Sequence, residues 1–528
     1  MPLNDNPTQI EQQSQPPTLA HLYELSPTAS AASRATIAAL YGHAAAPRWN
    51  HPAGDRLTHA EVADLAAFGS ALARLRGPRL EQPSEPLLAW AQSRIAATPL
   101  FRGRIGHDSD LAARWADVPT SSREDIASHA ERLVPDDAPL DRMIIYRTAG
   151  TTGHALLVPQ YALAVACYLP LLNFALARYG VDTRFAPEET ACFLVGSQRH
   201  TVTYPTVMSG WNGAGFAKLN LFADEWPHAR AREEYFHHFK PRILTGDPLS
   251  FADMLDADVG GAPKALVTTA VAMSSALKQR LQTAYGCPVI DWYSLTETGP
   301  LGYACTHGHG YHWLPHDVHL ETLDEAGQPT AGRGEITVTG GRNPFIPLLR
   351  YRTGDWGRID FAPCPCGDPM PRLLELDGRA PVRFYAGNGN PIGTQDVATV
   401  LRRYPLVQHQ FEQAADGACT LTYRTLASGV WRRDDLEAEL HALLRQPDGG
   451  QPGARADVAA RRLGHGGARR PAGRRTVCAV TQCQALRRLR RLAPAHAGRS
   501  HVTDDAARRR PAAANQWGIC QSASGLGL

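Results

Sequence analysis

A stretch rich in glycine and threonine, YRTAGTTGH at 146–154, has the composition of a loop that binds phosphates. It follows the short apolar run 143–145, which predicts a strand. Glycines let the backbone approach an anion closely, successive amides can point into the concavity, and threonine hydroxyls add donors. Taken alone, the stretch fits a phosphate loop and an ordinary polar turn equally well. It is not the common nucleotide-binding pattern ending in Gly-Lys-Ser/Thr, because the spacing differs and no lysine follows.

The length and composition of the chain indicate a globular enzyme with more than one domain. A chain of 528 residues is too long for one compact core. Its hydrophobic content of 43% includes no run of about 18 apolar residues, so no membrane span is expected. Ten irregularly spaced cysteines argue against a disulfide scaffold and favour a reducing compartment, which predicts a cytoplasmic protein. Residues 1–17 lack the features of a signal peptide and are expected to form a disordered leader.

The last part of the chain differs sharply in charge from the rest. Residues 446–528 contain fifteen arginines and four aspartates with no lysine or glutamate, a net charge of +11, whereas the whole chain carries +3. A basic arm that binds nucleic acid is one interpretation. The segment shows neither helical periodicity nor interleaved aromatic residues, and its Arg/Ala/Gly/Pro bias is typical of a GC-rich gene translated out of frame. We therefore favour a disordered or non-native tail and do not favour nucleic acid as a partner.

Residue patterns along the body predict an α/β fold with a small α+β unit at its end. Residues 18–140 have mainly helical periodicity, and between about 140 and 350 short β-type runs alternate with helical stretches. We expect a large N-terminal domain of layered sheets and helices over 18–377. A small α+β C-terminal domain, incomplete at its end, is expected over 378–445.

Three further stretches follow the first one in a fixed order. DWYSLTETG at 291–299 places a Tyr, a Thr and a Glu at the end of a predicted strand, YRTGD at 351–355 puts an Asp after a glycine turn, and DGRAPVRF follows at 377–384. Together the four stretches resemble the acyl-adenylate-forming superfamily, and most closely its phenylacetate:CoA ligase-like branch. The resemblance extends over roughly 100–420, and four ordered motifs are far more specific than any one of them.

The resemblance implies that ATP activates a carboxylic acid as an acyl-adenylate, which a thiol then attacks. Such an enzyme must hold phosphates and Mg²⁺, fix the ribose and exclude water. On the family pattern, the glycine- and threonine-rich loop would cover the β- and γ-phosphates of ATP through Thr148, Gly150, Thr151, Thr152 and Gly153.

The later motifs would complete the adenylate site on the same pattern. Tyr293 would stack on adenine, Thr296 would bond the α-phosphate, and Glu297 would bind Mg²⁺, which prefers carboxylate oxygens. Asp355 would accept hydrogen bonds from both ribose hydroxyls, and Arg379 would approach the ribose from the hinge side. Each residue alone also fits a solvated loop charge, a core aromatic or a turn residue.

A set of thiols and an imidazole corresponds to a structural zinc site of the phenylacetate:CoA ligase-like branch. YACTHGHGYHW and APCPCGDPMPRL supply three cysteines and a histidine, a donor set that suits tetrahedral zinc: Cys305, His312, Cys364 and Cys366. His307 and His309 are alternatives for the histidine, and free surface thiols are the alternative to a metal. Zinc here would pin a loop near the active site and take no part in the chemistry.

The chain departs from the family pattern in its cations. Where family loops end in Gly-Lys, His154 follows the glycine, with Arg147 or another side chain as a substitute for the lysine. Pro381 replaces a common hinge aspartate. No lysine occurs after Lys278, although family members carry an adenylation lysine near the C-terminus. An impaired first half-reaction is therefore expected.

The acid and the thiol acceptor are less closely defined by the sequence. The branch favours aryl and arylacetic acids, and residues 199–216 supply Tyr204, Trp211 and Phe216 either as pocket walls or as core. The thiol would come from coenzyme A or from the phosphopantetheine arm of an acyl carrier protein. The alternative function is an adenylate-binding protein without turnover that acts as a scaffold or sensor.

Overall fold

The structure is a computed structural model, and its description covers most of the body and two short parts of the tail. The described residues are 16–75, 82–105, 111–147, 156–197, 201–257, 259, 261–270, 272–314, 317–378, 384–386, 391–392, 397, 400–401, 403–413, 418–425, 431–444, 458–462 and 519–521. The leader expected over 1–17 lies almost wholly outside them.

Helices dominate the first part of the chain, as its periodicity predicts. The helices are α1 (Leu19–Glu24), α2 (Ala31–Gly42), α3 (His59–Arg74), α4 (Glu85–Ala97), α5 (Pro99–Ile105), α6 (Arg123–Leu133), α7 (Ala162–Ala166), α8 (Tyr168–Arg178), α9 (Ala231–Phe239), α10 (Pro248–Asp256), α11 (Ser275–Tyr285) and α12 (Arg433–Leu444). Helix α3 begins where it does because Thr58 and Glu61 form a capping box, in which each side chain binds the other residue's backbone amide.

The strands begin at the end of the helical region and continue into the tail. They are β1 (Ser121–Ser122), β2 (Met143–Arg147), β3 (Leu157–Tyr161), β4 (Thr190–Gly196), β5 (Tyr204–Met208), β6 (Ala214–Asn220), β7 (Ile243–Gly246), β8 (Ala265–Thr268), β9 (Val289–Leu295), β10 (Gly299–Ala304), β11 (Tyr311–Trp313), β12 (Val318–Leu323), β13 (Gly334–Gly340), β14 (Leu348–Asp360), β15 (Arg372–Asp377), β16 (Phe384–Tyr385), β17 (Pro391–Ile392), β18 (Leu406–Gln413), β19 (Cys419–Thr425), β20 (Val458–Arg462) and β21 (Ile519–Gln521).

One large sheet organises the body, and this confirms the α/β prediction. Among the described residues thirteen strands join it in the order β12-β13-β14-β15-β11-β10-β9-β8-β7-β4-β6-β5, with β1 added to β14. The sheet is parallel through the neighbouring strands β6-β4-β7-β8-β9. In the sheet order from β9 through β10, β11, β15, β14 and β13 to β12, each strand is antiparallel to the next. Every residue of β4, β7 and β8 is buried, as expected for parallel strands covered on both faces.

The sheet changes from parallel to antiparallel at β9, the strand that carries Tyr293. A tight hairpin joins β9 to β10. Residues 296–298 link the two strands, and β10 returns alongside β9 from Gly299. In open α/β sheets ligands bind at the carboxyl ends of the parallel strands. The end of β9 is therefore the place where side chains of this sheet can meet a ligand.

A separate hairpin of β2 and β3 leads into and out of the glycine- and threonine-rich stretch. Met143 of β2 faces Tyr161 of β3, and Arg147 faces Leu157. Helices α7 and α8 follow directly and carry apolar side chains into the main core. The described part of the hairpin ends at Arg147, next to the glycine- and threonine-rich stretch.

The small unit after 383 has a core of its own. Strands β18 and β19 pair antiparallel, and α12 packs its leucines against them: Leu436, Leu440 and Leu444. Over its described residues the unit has the predicted mixture of helix and strand.

Two short segments of the tail are strands. Strand β20 pairs in parallel with β19, and β21 pairs in parallel with β2. The strand structure of these two segments differs from the disorder expected for the tail. The segments pair because an exposed strand edge offers unpaired amides and carbonyls to any extended segment. The other residues after 445 lie outside the described ones. Among the described helices none has both the length and the apolar character needed to cross a membrane.

Candidate active site

The two sequence motifs DWYSLTETG and YRTGD meet at the end of β9. Tyr293 donates its hydroxyl hydrogen to Asp355 Oδ2 over 2.9 Å, and Tyr351 donates to Glu297 Oε1 over 2.7 Å. Strand β14 carries both Tyr351 and Asp355, so one hydrogen bond joins it to β9 and the other joins it to the turn that follows β9. Residues about sixty positions apart in the sequence thereby form one polar cluster.

The tyrosines of this cluster are held as hydrogen-bond donors. Burial, and after it the Asp355 carboxylate, raises the pKa of Tyr293 well above its ordinary value. Burial and Glu297 do the same to the pKa of Tyr351. Both hydroxyls therefore keep their protons at any physiological pH and orient the carboxylates that accept from them.

Glu297 is the most enclosed acid of the cluster. It is only 4% exposed, and besides Tyr351 it faces Arg123, whose Nη1 lies 3.9 Å from Oε1. Arg123 is the first residue of α6, and Ser121 of β1 pairs in register with Tyr351, so the start of this helix is fixed beside the acid. A buried carboxylate with one hydroxyl donor and one nearby cation can still receive a metal ion or a further donor.

The backbone next to Glu297 is fixed by the hairpin β2–β3. Gln160 of β3 donates to the carbonyl oxygen of Thr296 over 2.6 Å, and Asn343 donates to the Gln160 amide oxygen over 3.2 Å. Gly299 has a positive φ of 70°, and a Cβ there would lie 2.6 Å from the Tyr168 ring. The glycine of the TETG sequence is therefore required both by its backbone conformation and by the close approach of this ring.

Several of the predicted site residues lie outside the described residues. They are Thr148, Gly150, Thr151, Thr152, Gly153 and His154 of the loop, and Arg379 of the hinge. The roles proposed for these residues stay predictions. Gly378 is described, and a Cβ on it would lie 3.8 Å from Asp355 Oδ1. The chain therefore passes Asp355 immediately before residue 379.

The three cysteines and the histidine of the predicted zinc site come together. The ligand atoms of Cys305, His312, Cys364 and Cys366 all lie within 4.8 Å of one another. Cys305 Sγ is 3.7 Å from Cys364 Sγ, and two sulfurs bound to one tetrahedral zinc ion lie about 3.8 Å apart. His307 and His309 are exposed and do not join this group, so the structure favours His312 as the histidine.

Neighbouring groups prepare this cluster for a metal. His312 Nδ1 lies 2.9 Å from the carbonyl oxygen of Met370, which can only accept, so Nδ1 carries the proton and the Nε2 lone pair faces Cys366 Sγ at 3.2 Å. Burial raises the pKa of the Cys364 thiol, but hydrogen bonds from the backbone and thiol of Cys366 outweigh it, and the net pKa is lowered. Asp368 accepts a hydrogen bond from the Tyr303 hydroxyl. It also forms an ion pair with Arg178, whose Nε lies 3.2 Å from Asp368 Oδ2. The donor set fits a structural zinc ion.

The aromatic residues proposed as pocket walls divide between cavity and core. Tyr204 borders a largely apolar cavity, together with residues of β2, α7 and the segment 51–57. Trp211 donates its indole hydrogen to Asn173 and packs on Phe185, and Phe216 is fully buried in the main core. Of the three, only Tyr204 borders this cavity.

Sequence reasoning missed Arg123, Tyr351 as a partner of Glu297, and Gln160. Tyr351 stands inside the YRTGD motif, so its identity was a usable signal. Arg123 and Gln160 precede Glu297 by well over a hundred residues, and no local pattern links them to it.

No protein-family model matches this chain, and no curated protein matches it. Solved structures do. One is 2-hydroxyisobutyryl-CoA ligase in the postadenylation state with 2-HIB-AMP, at 15% identity over 82% of this chain and 91% of that chain, with a TM-score of 0.49. Another is an anthranilate CoA ligase with anthranoyl-AMP, at 14% identity over 60% and 63% of the two chains, with a TM-score of 0.41. A third is o-succinylbenzoate CoA synthetase from Bacillus subtilis with its acyl-adenylate, at 14% identity over 60% and 65%, with a TM-score of 0.40. These three structures are acyl- or aryl-CoA ligases.

Proposed function

We propose that the protein uses ATP to activate a carboxylic acid as an acyl-adenylate and then transfers the acyl group to a thiol. The observation that supports this most is the pair of hydrogen bonds from Tyr293 to Asp355 and from Tyr351 to Glu297. They bring three groups to the end of one strand: the aromatic ring of Tyr293, the buried Asp355 carboxylate, which would bind ribose, and the buried Glu297 carboxylate, which would bind a metal. An adenylate needs these three groups within the length of a nucleotide.

In the first step an oxygen of the acid's carboxylate attacks the α-phosphorus of ATP. The bond from that phosphorus to the bridging oxygen breaks, and pyrophosphate leaves. Tyr293 would stack on adenine, and Asp355 would accept from the ribose hydroxyls. Thr296 would bond the α-phosphate. Glu297 would hold Mg²⁺ through a carboxylate oxygen, and the ion would supply positive charge to offset the charge that develops on pyrophosphate.

Cations near the phosphates are needed because the family lysines are absent. The loop from Thr148 to Gly153 would cover the β- and γ-phosphates, with His154 where a lysine is usual. We propose that Arg123 takes over part of this work, since its guanidinium is already within 4 Å of Glu297 and lies at the start of a helix. Oriented donors in an enclosed site stabilise developing charge more than they do in water.

In the second step a thiol sulfur attacks the carbonyl carbon of the adenylate, and AMP leaves as the thioester forms. The acceptor would be coenzyme A or the phosphopantetheine arm of an acyl carrier protein. The acid would be an aryl or arylacetic acid, as in the phenylacetate:CoA ligase-like branch, and Arg379 would approach the ribose from the hinge. A cytoplasmic location follows from this use of ATP and thiols.

Zinc fits the same proposal through the cluster of Cys305, His312, Cys364 and Cys366. When bound, zinc would supply only a fixed tetrahedral centre, because all four positions are taken by protein ligands. The distance along β10 supports a structural role. Its six residues extend about 20 Å between the Glu297 end and the cysteine end.

ATP–pyrophosphate exchange with a panel of aromatic acids tests the proposed function. We expect acid-dependent exchange that requires Mg²⁺. Glu297→Gln should reduce the turnover of exchange more than the affinity for ATP, because a metal contact that tightens as charge moves onto pyrophosphate acts on the transition state.

Calorimetry of MgATP binding accompanies this experiment. Binding without exchange for any acid would favour the scaffold or sensor alternative. A folded protein that binds no ATP would refute both.

A further inference from the structure

A largely apolar cavity lies between β2, β5, α7 and the segment 51–57. Alternate residues of β2 and β5 form two of its walls, and α7 forms a third. The apolar side chains at its wall include Ile144, Ala162, Val165, Ala166, Leu169 and Met208.

One end of this cavity is linked to the turn of Glu297 through two packed tyrosines. Tyr146, which lines that end, packs with Val165 and Tyr168. The Tyr168 ring is in turn in close contact with Gly299, two residues after Glu297. Tyr146 and Tyr168 therefore lie between the cavity and the Glu297 turn.

The opposite end of the cavity is formed by the segment 55–57. Arg142, which precedes β2, donates from Nη2 to the carbonyl oxygen of Arg56 over 3.0 Å. This end therefore lies where β2 begins, whereas the reactive end lies where β2 finishes.

A carboxylate stands at the remote end. Asp55 borders the cavity, and its Oδ2 accepts from the Ser209 backbone amide over 3.0 Å and from the Ser209 hydroxyl. Its Oδ1 accepts from the Leu57 amide over 3.3 Å. These donors fix the direction of the carboxyl group. A carboxylate placed among apolar side chains is unfavourable unless its oxygens are satisfied, and a ligand donor would satisfy it further.

We propose that this cavity receives the body of the acid substrate, and that the substrate is an elongated, mainly aromatic acid with a hydroxyl or amino group at the end remote from its carboxylate. The remote group donates a hydrogen bond to Asp55, while the reacting carboxylate points past Tyr146 towards the adenylate. The inference rests on the acid-activating function proposed above. Asp55 already accepts three hydrogen bonds from the protein, so an acid with a remote donor would add a fourth, which an acid without that donor does not make.

Three acids of matched shape test this selectivity in the unaltered protein: para-hydroxyphenylacetate, para-aminophenylacetate and para-methylphenylacetate. We expect kcat/KM for pyrophosphate exchange to be about 10- to 100-fold higher for at least one of the two donor acids than for the methyl acid, as for a hydrogen bond to a charged group. Equal or better use of the methyl acid would overturn the inference.

Two variants locate the effect. Ala166→Leu should fill the cavity and remove the activity with all three acids, whereas Ala177→Leu, on the exposed side of α8, should change nothing. Asp55→Asn should remove the preference for donor acids. Because Asp55 also holds Ser209 and Leu57, the acid panel on the unaltered protein remains the decisive test if this variant does not fold.

Equilibrium binding of the three acids without ATP separates this inference from the proposed function. If para-hydroxyphenylacetate binds, Ala166→Leu abolishes the binding and no acid supports exchange, the cavity assignment stands and the proposed function fails. If exchange proceeds with all three acids and is insensitive to Ala166→Leu, the function stands and the cavity inference fails. Absence of both binding and exchange for all three acids overturns the inference.

Discussion

The hydrogen bond from Tyr351 to Glu297 offers the sharpest test of the candidate active site. Tyr351→Phe removes one oxygen atom and leaves the ring, which is 1% exposed, in place. Among the described residues, the Glu297 carboxylate then loses a donor at 2.7 Å and keeps the more distant Arg123 guanidinium at 3.9 Å. Hydrogen bonds to charged groups contribute about 1.5–3 kcal/mol, and the partly exposed Arg123 replaces little of this.

The functional effect should appear in the dependence on Mg²⁺. Residues that orient a metal-binding side chain typically change metal affinity or activity by about 10- to 100-fold when they are lost. We expect the Mg²⁺ concentration that half-saturates pyrophosphate exchange, measured at saturating ATP and acid, to rise at least about tenfold in Tyr351→Phe. The ATP concentration that half-saturates at high Mg²⁺ should change much less, because Tyr293 and Asp355 are untouched.

Tyr303→Phe is the matched control for this experiment. Tyr303 is also 1% exposed and donates to a buried carboxylate, Asp368, beside the cysteine cluster. It should lower the free energy of unfolding by a similar amount without altering the Mg²⁺ requirement. If Tyr351→Phe keeps the Mg²⁺ dependence of the unaltered protein, or if both variants shift it equally, Tyr351 does not position a metal-binding Glu297 and the reasoning is wrong.

Three further predictions address the cations, the metal and the tail. Arg123→Met should reduce the turnover of pyrophosphate exchange by about a hundredfold, which is the scale of losing one oriented donor. Arg123→Lys should retain part of the turnover. Equal activity of the two variants and the unaltered protein would show that Arg123 does not serve the phosphates. The protein purified without added zinc should contain about one equivalent by metal analysis, and Cys364→Ser should lose both the metal and thermal stability; full metal content in that variant would contradict the proposed ligand set. Truncation before Gln446 should leave thioester formation from synthetic acyl-adenylate and coenzyme A unchanged, and an ATP-driven reaction that is robust in the full chain but lost on truncation would show that the tail belongs to the enzyme.

The sequence predicts those parts of the site that lie within one motif. Tyr293, Thr296 and Glu297 occur within five residues, and the end of β9 is where strand periodicity places them. Asp355 comes from a second motif, and only the order of the motifs suggests that the two meet. Their actual contact depends on β14, a strand of 13 residues that pairs with β13, β15 and β1 at once.

Side chains that act on the site from distant elements could not be predicted. Gln160 reaches Thr296 only because the β2–β3 hairpin packs against the β9–β10 turn. Trp211 and Phe216 have the composition of pocket walls, but large aromatic residues contribute equally well to a core, and packing decides between the two. The order of strands in the large sheet is likewise a property of long-range pairing that no local pattern contains.

The cysteine cluster also bears on the geometry of the active site, although it lies away from the chemistry. Strand β10 begins two residues after Glu297 and ends one residue before Cys305, and β15 begins six residues after Cys366 and ends next to Gly378, beside Asp355. A metal held by both segments would fix the strand that follows the Glu297 motif against the strand that ends beside Asp355. Metal loss should therefore loosen the register between the two motifs before it unfolds the sheet. Reduced exchange in a protein that retains its secondary structure but has lost its zinc is the expected sign of this coupling.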